Sequence, residues 1–188
     1  IIKLRKGLPS KCLLVIDSAY SEYVLESDYS DTISYAKTRT DIIVTHTFSK
    51  IFGLAALRLG WAYCPVAAVE VLEKIRPAFN INSYAQEIGS LVLDDKAFIA
   101  NSIKHNNYWK NFITREFEAL GIKVIPSVAN FITIVLKNSN LAFKLAAALE
   151  KCNILVRKLN AYKMNNCLRI TIGTEKQNRT FLKLFRKI

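Results

Sequence analysis

The first eighty residues hold three short, unbroken apolar runs separated by mixed polar stretches. Residues 12–16 (Cys-Leu-Leu-Val-Ile) end at Asp17, residues 41–47 (Asp-Ile-Ile-Val-Thr-His-Thr) repeat the pattern, and residues 59–64 close at Pro65. Continuous rather than alternating hydrophobicity predicts parallel strands covered on both faces for the first two runs, and the third run reads as a further strand. Residues 66–75 carry a helical pattern that has to end before Pro77, because proline disfavours helical backbone at the residue before it. A loop over 77–82 follows, then a predominantly helical stretch over 83–120, broken near Asp94 and Asp95. Gly121 supplies a left-handed helix terminator.

The remaining third changes rhythm. Strands are expected at 122–125, 130–136, 154–158 and 168–172, with a helix over 141–151 among them. A final helix opens at Thr174, where Gln177 three residues on completes a capping-box pattern. No internal repeat or low-complexity tract interrupts the order. The fold class is therefore α/β: the later part of a mainly parallel α/β domain over 1–82, connecting helices over 83–120, and a small α+β domain over 121–188.

Composition narrows the picture. A chain of 188 residues can bury one good core or two small ones, and 51% apolar with 22% charged residues describes a folded protein rather than a disordered one. No apolar run approaches the ~18 residues of a membrane span. The basic start, Ile-Ile-Lys-Leu-Arg-Lys, lacks the apolar region and cleavage site of a signal peptide. The chain opens on Ile1 and its single methionine is Met164, so it reads as a piece of a longer chain or a processed product. Cys12, Cys64, Cys152 and Cys167 are too scattered for a metal site and read as buried free thiols in a reducing cytoplasm. The net charge of +12 is spread along the chain without interleaved aromatics. It reads as solvated surface, so neither a nucleic acid nor a membrane is expected as partner; a basic nucleic-acid-binding module would rest on charge alone.

The candidate chemistry lies where the apolar runs end. Asp17 and Tyr20 follow the first run, and Thr47, Ser49 and Lys50 follow the second, with Arg58 eight residues beyond the lysine. In an open α/β sheet ligands bind at the carboxyl ends of strands. Taken singly, Asp17 could equally be a turn carboxylate, Tyr20 a half-buried core tyrosine and Lys50 a solvated surface lysine. Thr47 and Ser49 offer hydroxyls, Arg58 a planar fork suited to a phosphate dianion, and Gly53 and Gly60 tight backbone turns around it. Gly-rich nucleotide loops are absent. Taken jointly, a strand ending in Asp-x-x-Tyr, 33 residues from Asp17 to Lys50 and eight more to Arg58 make a specific set.

That set resembles the cofactor-holding core of the fold-type I pyridoxal-phosphate (PLP) aminotransferases, and in particular the histidinol-phosphate aminotransferases. The resemblance extends along nearly the whole chain. Arg-Pro-Ala-Phe-Asn-Ile-Asn of 76–82 is similar to the family's loop leading into its interdomain helices, and Pro-Ser-Val-Ala-Asn-Phe of 126–131 to its Ser-x-x-Asn-Phe strand start. Ile-Leu-Val-Arg of 154–157 and Leu-Arg-Ile-Thr-Ile-Gly-Thr of 168–174 are similar to its two C-terminal arginine motifs.

The resemblance implies the C-terminal part of a PLP-transferase large domain plus a small C-terminal domain, and it implies roles. Lys50 would bond covalently to the cofactor and shuttle a proton. Asp17 would face the pyridine nitrogen, Tyr20 would donate to the ring oxygen, and Thr47, Ser49 and Arg58 would hold the phosphate. Arg169 would take the α-carboxylate of glutamate in one half-reaction and the substrate phosphate in the other. Arg157 would add a second phosphate contact, and Asn130 would contribute to substrate binding. The implied activity is histidinol-phosphate:2-oxoglutarate transamination in histidine biosynthesis, in a cytoplasmic enzyme that dimerises when full length. An aromatic aminotransferase, a threonine-phosphate decarboxylase and a truncated, non-catalytic remnant are the alternatives.

Two features depart from the family pattern. Ser18 stands where the family has an acidic residue, and the family's N-terminal third is missing. That third carries a backbone loop for the phosphate, an Asn, a ring-stacking aromatic and a Tyr that crosses the dimer interface.

Overall fold

The computed structural model describes residues 1–187. The chain divides into two compact units, Ile1–Ile99 and Ala100–Ile188.

In the first unit, β1 (Leu14–Asp17), β2 (Ile42–Thr47) and β3 (Gly60–Tyr63) form a sheet in that spatial order. β1 and β2 run parallel, with Asp17 opposite Thr45, whereas β3 returns antiparallel with Gly60 opposite Thr47. Around them lie α1 (Ile2–Lys6), α2 (Thr32–Ala36), α3 (Val66–Ile75) and α4 (Ser83–Val92). Neither α1 nor α2 is anticipated by the hydrophobic pattern; both are five residues long, too short to show a period. α2 is set by its cap, since Asp31 accepts from the backbone N–H groups of Ile33 and Ser34. The Ser34 hydroxyl donates to the same carboxylate, and that bond holds Asp31 below the usual carboxylate range. The approach to β2 is fixed by Asp41, which accepts from both Arg39 and the buried Arg5.

Cover over this sheet is one-sided. Ile42 and Val44 pack with Ala36, joined by Leu14, Ile16, Ile33 and Tyr35. On the other face Val15 remains 56% exposed. The expectation of strands covered on both faces is therefore met on one face only, the face packed under α2. α3 ends at Arg76, whose extended backbone precedes Pro77 as the sequence requires.

α5 (Lys96–Ala119) follows a break at 93–95, with Asp95 accepting from the Phe98 N–H, and it runs across the boundary between the units. The second unit is an antiparallel sheet in the order β4 (Lys123–Ile125), β5 (Phe131–Val135), β7 (Met164–Thr171), β6 (Arg157–Leu159). α6 (Ser139–Lys151) and α7 (Glu175–Phe185) complete it. One sheet face supplies Ile132, Ile134, Leu168 and Ile170 to a core closed by Trp109, Ile113 and Phe117 of α5, Leu145 and Leu149 of α6, and Phe181 and Leu182 of α7. Gly121 takes φ 73° after α5, and Thr174 with Gln177 forms the full capping box of α7.

Two strands differ from expectation. β6 starts at Arg157 rather than 154, and β7 starts at Met164 rather than 168. The hairpin between them turns on Lys163 at φ 59°, a left-handed position with no glycine to announce it. The cysteines also divide: Cys167 is buried and burial pushes its thiol up, Cys12 and Cys64 are half-buried, and Cys152 is exposed at the C-cap of α6. All four are free, so the reading as buried thiols holds for Cys167 alone. Among the described residues no helix is long and apolar enough to cross a membrane, and no His, Cys, Asp and Glu group is arranged to hold a metal.

Candidate active site

β1 and β2 end side by side, and each hands the chain to a turn that carries candidate residues. Asp17, the last residue of β1, is exposed; its Oδ1 accepts from the Ala19 N–H at 3.1 Å and from the Thr45 hydroxyl at 3.5 Å. Tyr20 follows, just before a 3-10 turn over Ser21–Tyr23.

β2 ends at Thr47, whose hydroxyl accepts from the Ser49 N–H at 3.1 Å and starts the lysine turn. The turn is closed by Gly53 N–H donating to the Lys50 carbonyl at 3.0 Å and Leu54 N–H to the Phe48 carbonyl at 2.9 Å. Gly53 sits at φ 70°, a conformation that favours glycine. Phe48, Ile51 and Phe52 are buried around the turn, so apolar packing holds its backbone while Lys50 stays half-buried. The Lys50 ammonium stands 5.3 Å from the centroid of the Tyr20 ring. A cation over an aromatic face is attracted by the ring quadrupole.

Arg58 lies at φ 56°, a left-handed conformation that costs a non-glycine residue roughly 1–2 kcal/mol. Its guanidinium donates to the Ala55 carbonyl at 2.7 Å and reaches the Ser49 hydroxyl at 3.5 Å. Three contacts link candidate residues within this unit: Asp17 with Thr45 at the strand ends, Lys50 over Tyr20, and Arg58 beside Ser49. Gly60 has a different role from the one expected. It belongs to β3, where an added Cβ would come within 2.9 Å of the His46 carbonyl, so it permits close strand pairing rather than a phosphate turn.

The second unit places Arg157 directly opposite Arg169 across the β6–β7 ladder. Like charges in that position repel. Among the described residues no carboxylate forms an ion pair with either arginine. The Arg169 guanidinium lies 4.7 Å from the Phe131 ring centroid, and its Nε is buried without a hydrogen-bond partner. Register explains the stack: Arg169 pairs with Thr133, and Phe131 is two residues along on the same face of β5. Sequence reading missed Phe131 as a support for Arg169, although strand alternation signals it once the register is known. Asn130 is half-buried just before β5, where its carbonyl accepts from the Ile172 N–H at 2.9 Å.

Comparison with known proteins bears on the family and the fold. The family model described as Aminotransferase class I and II matches residues 4–185. The histidinol-phosphate aminotransferase of Maricaulis maris is 43% identical over 179 residues, covering 94% of this chain and 49% of that protein. That of Nitrobacter hamburgensis is 42% identical over 181 residues, covering 95% and 50%. The crystal structure of histidinol-phosphate aminotransferase from Sinorhizobium meliloti, in complex with pyridoxal-5'-phosphate, superposes with a TM-score of 0.90 at 22% identity. That match spans 99% of this chain and 52% of the other, and at such identity it establishes the fold. The chain spans about half the length of the curated relatives it matches, so the share outside it is larger than the third expected. With the family match running almost from end to end, the chain belongs to the class I and II aminotransferases.

Proposed function

We propose that this chain supplies the lysine, aspartate and arginine side of a PLP-dependent active site, and that its reaction is histidinol-phosphate:2-oxoglutarate transamination. The observation that carries this reading is the Lys50 ammonium held over Tyr20 beside the paired ends of β1 and β2, with Ser49 and Arg58 in the same turn region. The donor set fits PLP. Asp17 offers an exposed carboxylate, and Arg58 offers a guanidinium with N–H groups to spare next to the Ser49 hydroxyl.

PLP, when bound, supplies an electron sink for negative charge at the substrate's α-carbon. Asp17 would face the ring nitrogen, where an opposite charge favours the protonated form. Tyr20 would be the donor to the ring oxygen. Thr47, Ser49 and Arg58 would hold the phosphate, with Arg58 contributing the charge-assisted bonds. Lys50 would hold the cofactor and, once the substrate amine has displaced it, would be the base that moves the proton at the substrate α-carbon. Arg157 and Arg169 bind the anionic end of the substrate, and the unpartnered Arg169 Nε is the donor such an anion would satisfy. Two facing arginines suit a phosphate dianion and also accept the carboxylate of glutamate. Asn130, just before β5, completes the substrate side. The reading carries with it a cytoplasmic enzyme that works as a homodimer at full length.

A second reading has its own observation. Val15 at 56%, Val66 at 75% and Ile75 at 71% exposure leave apolar surface uncovered in the catalytic unit, which favours a chain that binds no cofactor by itself. One experiment separates the two. Purified chain mixed with PLP should develop a visible absorbance band that Lys50→Ala abolishes. A band that forms only when the other half of the relatives' length is supplied would assign the enzyme to the assembled protein and the remnant reading to this chain. No Lys50-dependent band under either condition would overturn the aminotransferase assignment.

A further inference from the structure

Behind the candidate site, on the opposite face of the same sheet, sits a polar cluster that none of the roles above uses. His46 is the β2 residue just before Thr47, and its register partner on β3 is Trp61. Alternation sends Thr45 and Thr47 to the face that carries Asp17, and His46 to the other face with Val44. The imidazole and indole rings stack with centroids 4.3 Å apart and planes 4° apart. The His46 side chain is only 8% exposed. Its Nδ1 lies 3.3 Å from Glu22 Oε1 and 3.5 Å from the Ser21 hydroxyl, while Nε2 is buried with no partner. Because a carboxylate oxygen can only accept, Nδ1 is the donor to Glu22, and Trp61 fixes the plane of the ring.

Both contacts land on the 3-10 turn Ser21–Tyr23, which begins immediately after Tyr20. On the other side of Tyr20, Ser18 is buried: its N–H donates to the Thr45 carbonyl at 2.8 Å, and its hydroxyl shares a 3.0 Å bond with that of Thr32. The Ser21 hydroxyl closes the loop by donating to the Ser18 carbonyl at 2.9 Å. The segment bearing Tyr20 is thus clamped to β2 at two points, at Ser18 before it and at His46 after it. An aliphatic side chain would fill the place of His46 without the cost of burying a polar ring with one nitrogen unsatisfied.

We infer that His46 is a positioning residue: acting through Glu22 and Ser21 from behind the sheet, it holds the Tyr20 turn against Lys50. Its consequence for the cofactor rests on the PLP reading above; the tie itself does not.

Hydrogen exchange on the full chain reads the tie without cofactor, because the Tyr23 N–H donates to the Tyr20 carbonyl and the Val24 N–H to the Ser21 carbonyl. His46→Ala should lower the protection of these two amides about fivefold, the scale of one lost side-chain hydrogen bond. His46→Asn keeps a donor near the Nδ1 position and should restore most of it, which separates the tie from general unfolding. Unchanged protection in His46→Ala would overturn the inference. The second arm is a pH titration of the Lys50-dependent PLP band in wild type, His46→Ala, Tyr20→Phe and the double variant. His46→Ala should move the midpoint in the same direction as Tyr20→Phe, and the double variant should move it no further than Tyr20→Phe alone. Shifts that add would show His46 acting other than through Tyr20. If no such band forms, either in the chain alone or with the other half of the relatives' length supplied, the PLP reading fails, and the amide arm still decides whether His46 holds the turn.

Discussion

The two units of this chain differ in how they are held together. Ala100–Ile188 closes a continuous core in which three helices cover one sheet face, whereas among the described residues Ile1–Ile99 buries far fewer apolar side chains. In the first unit the order around the candidate lysine comes from turn hydrogen bonds and the packed Phe48 and Phe52 rings, while ion pairs to Asp41 fix the other end of β2. The larger core and the candidate lysine thus lie in different halves of the chain. The halves should respond to different perturbations.

The largest effect should come from the closed core. Phe117 is 1% exposed and packs edge-on against Phe185 at 4.7 Å, so Phe117→Ala should cost about 3–5 kcal/mol. Each unit has its own indole, Trp61 in the first and Trp109 in the second. Denaturant unfolding of Trp61→Phe and Trp109→Phe chains therefore follows the units separately. The Trp61 transition should come at lower denaturant than the Trp109 transition, and Phe117→Ala should move the Trp109 transition alone. Coincident transitions that fall together in Phe117→Ala would mean the chain unfolds as one cooperative unit, and the contrast would be lost.

Acid should act on the first unit before the second. The Arg39 guanidinium, with Arg5 beside it, holds the Asp41 carboxyl far below the usual carboxylate range. A carboxyl whose folded pKa is depressed adds stability that is complete above its unfolded pKa of ~3.9 and is lost as pH falls through the folded value. The Trp61 transition should therefore weaken progressively below about pH 4, and Asp41→Asn should remove that part of the slope. The same substitution should lower stability at neutral pH, because it leaves the buried Arg5 without its carboxylate. In the second unit the Arg179–Glu175 and Arg186–Glu116 pairs are exposed enough to contribute little, so the Trp109 transition should show less of this dependence.

The same division governs what could be read from the sequence. Elements that carry their own local signal were legible: the stop of α3 before Pro77, the left-handed Gly121 and the Thr174–Gln177 capping box each follow from the residues at those positions. Lys50, Tyr20, Ser49 and Arg58 were legible as a set because their spacing is local to two strand ends. What the sequence hid depends on register. Arg157 facing Arg169, Phe131 beneath Arg169 and His46 against Trp61 and Glu22 are pairings between strands or turns, and nothing adjacent in sequence announces them. The turn at Lys163 was hidden for another reason, since a left-handed lysine looks like any surface lysine.

The smallest predicted effect is the most direct test of how open the first unit is. α3 carries Val66, Val69, Val71, Leu72 and Ile75, yet none of its residues is buried. If that surface is solvated in the isolated chain, Val66→Ser and Ile75→Ser should change the Trp61 transition by no more than about 0.5 kcal/mol. They should also reduce self-association, measured by sedimentation or light scattering, because an exposed apolar patch promotes it. A cost nearer the ~1.5–3 kcal/mol of burying an aliphatic side chain would mean that something packs on α3 in solution. Concentration dependence then identifies it: a cost that fades on dilution points to a second copy of the chain, and one that persists points to packing within the chain itself. Either result would replace the contrast between a closed unit and an open one with a contrast between a unit that closes alone and one that closes by contact.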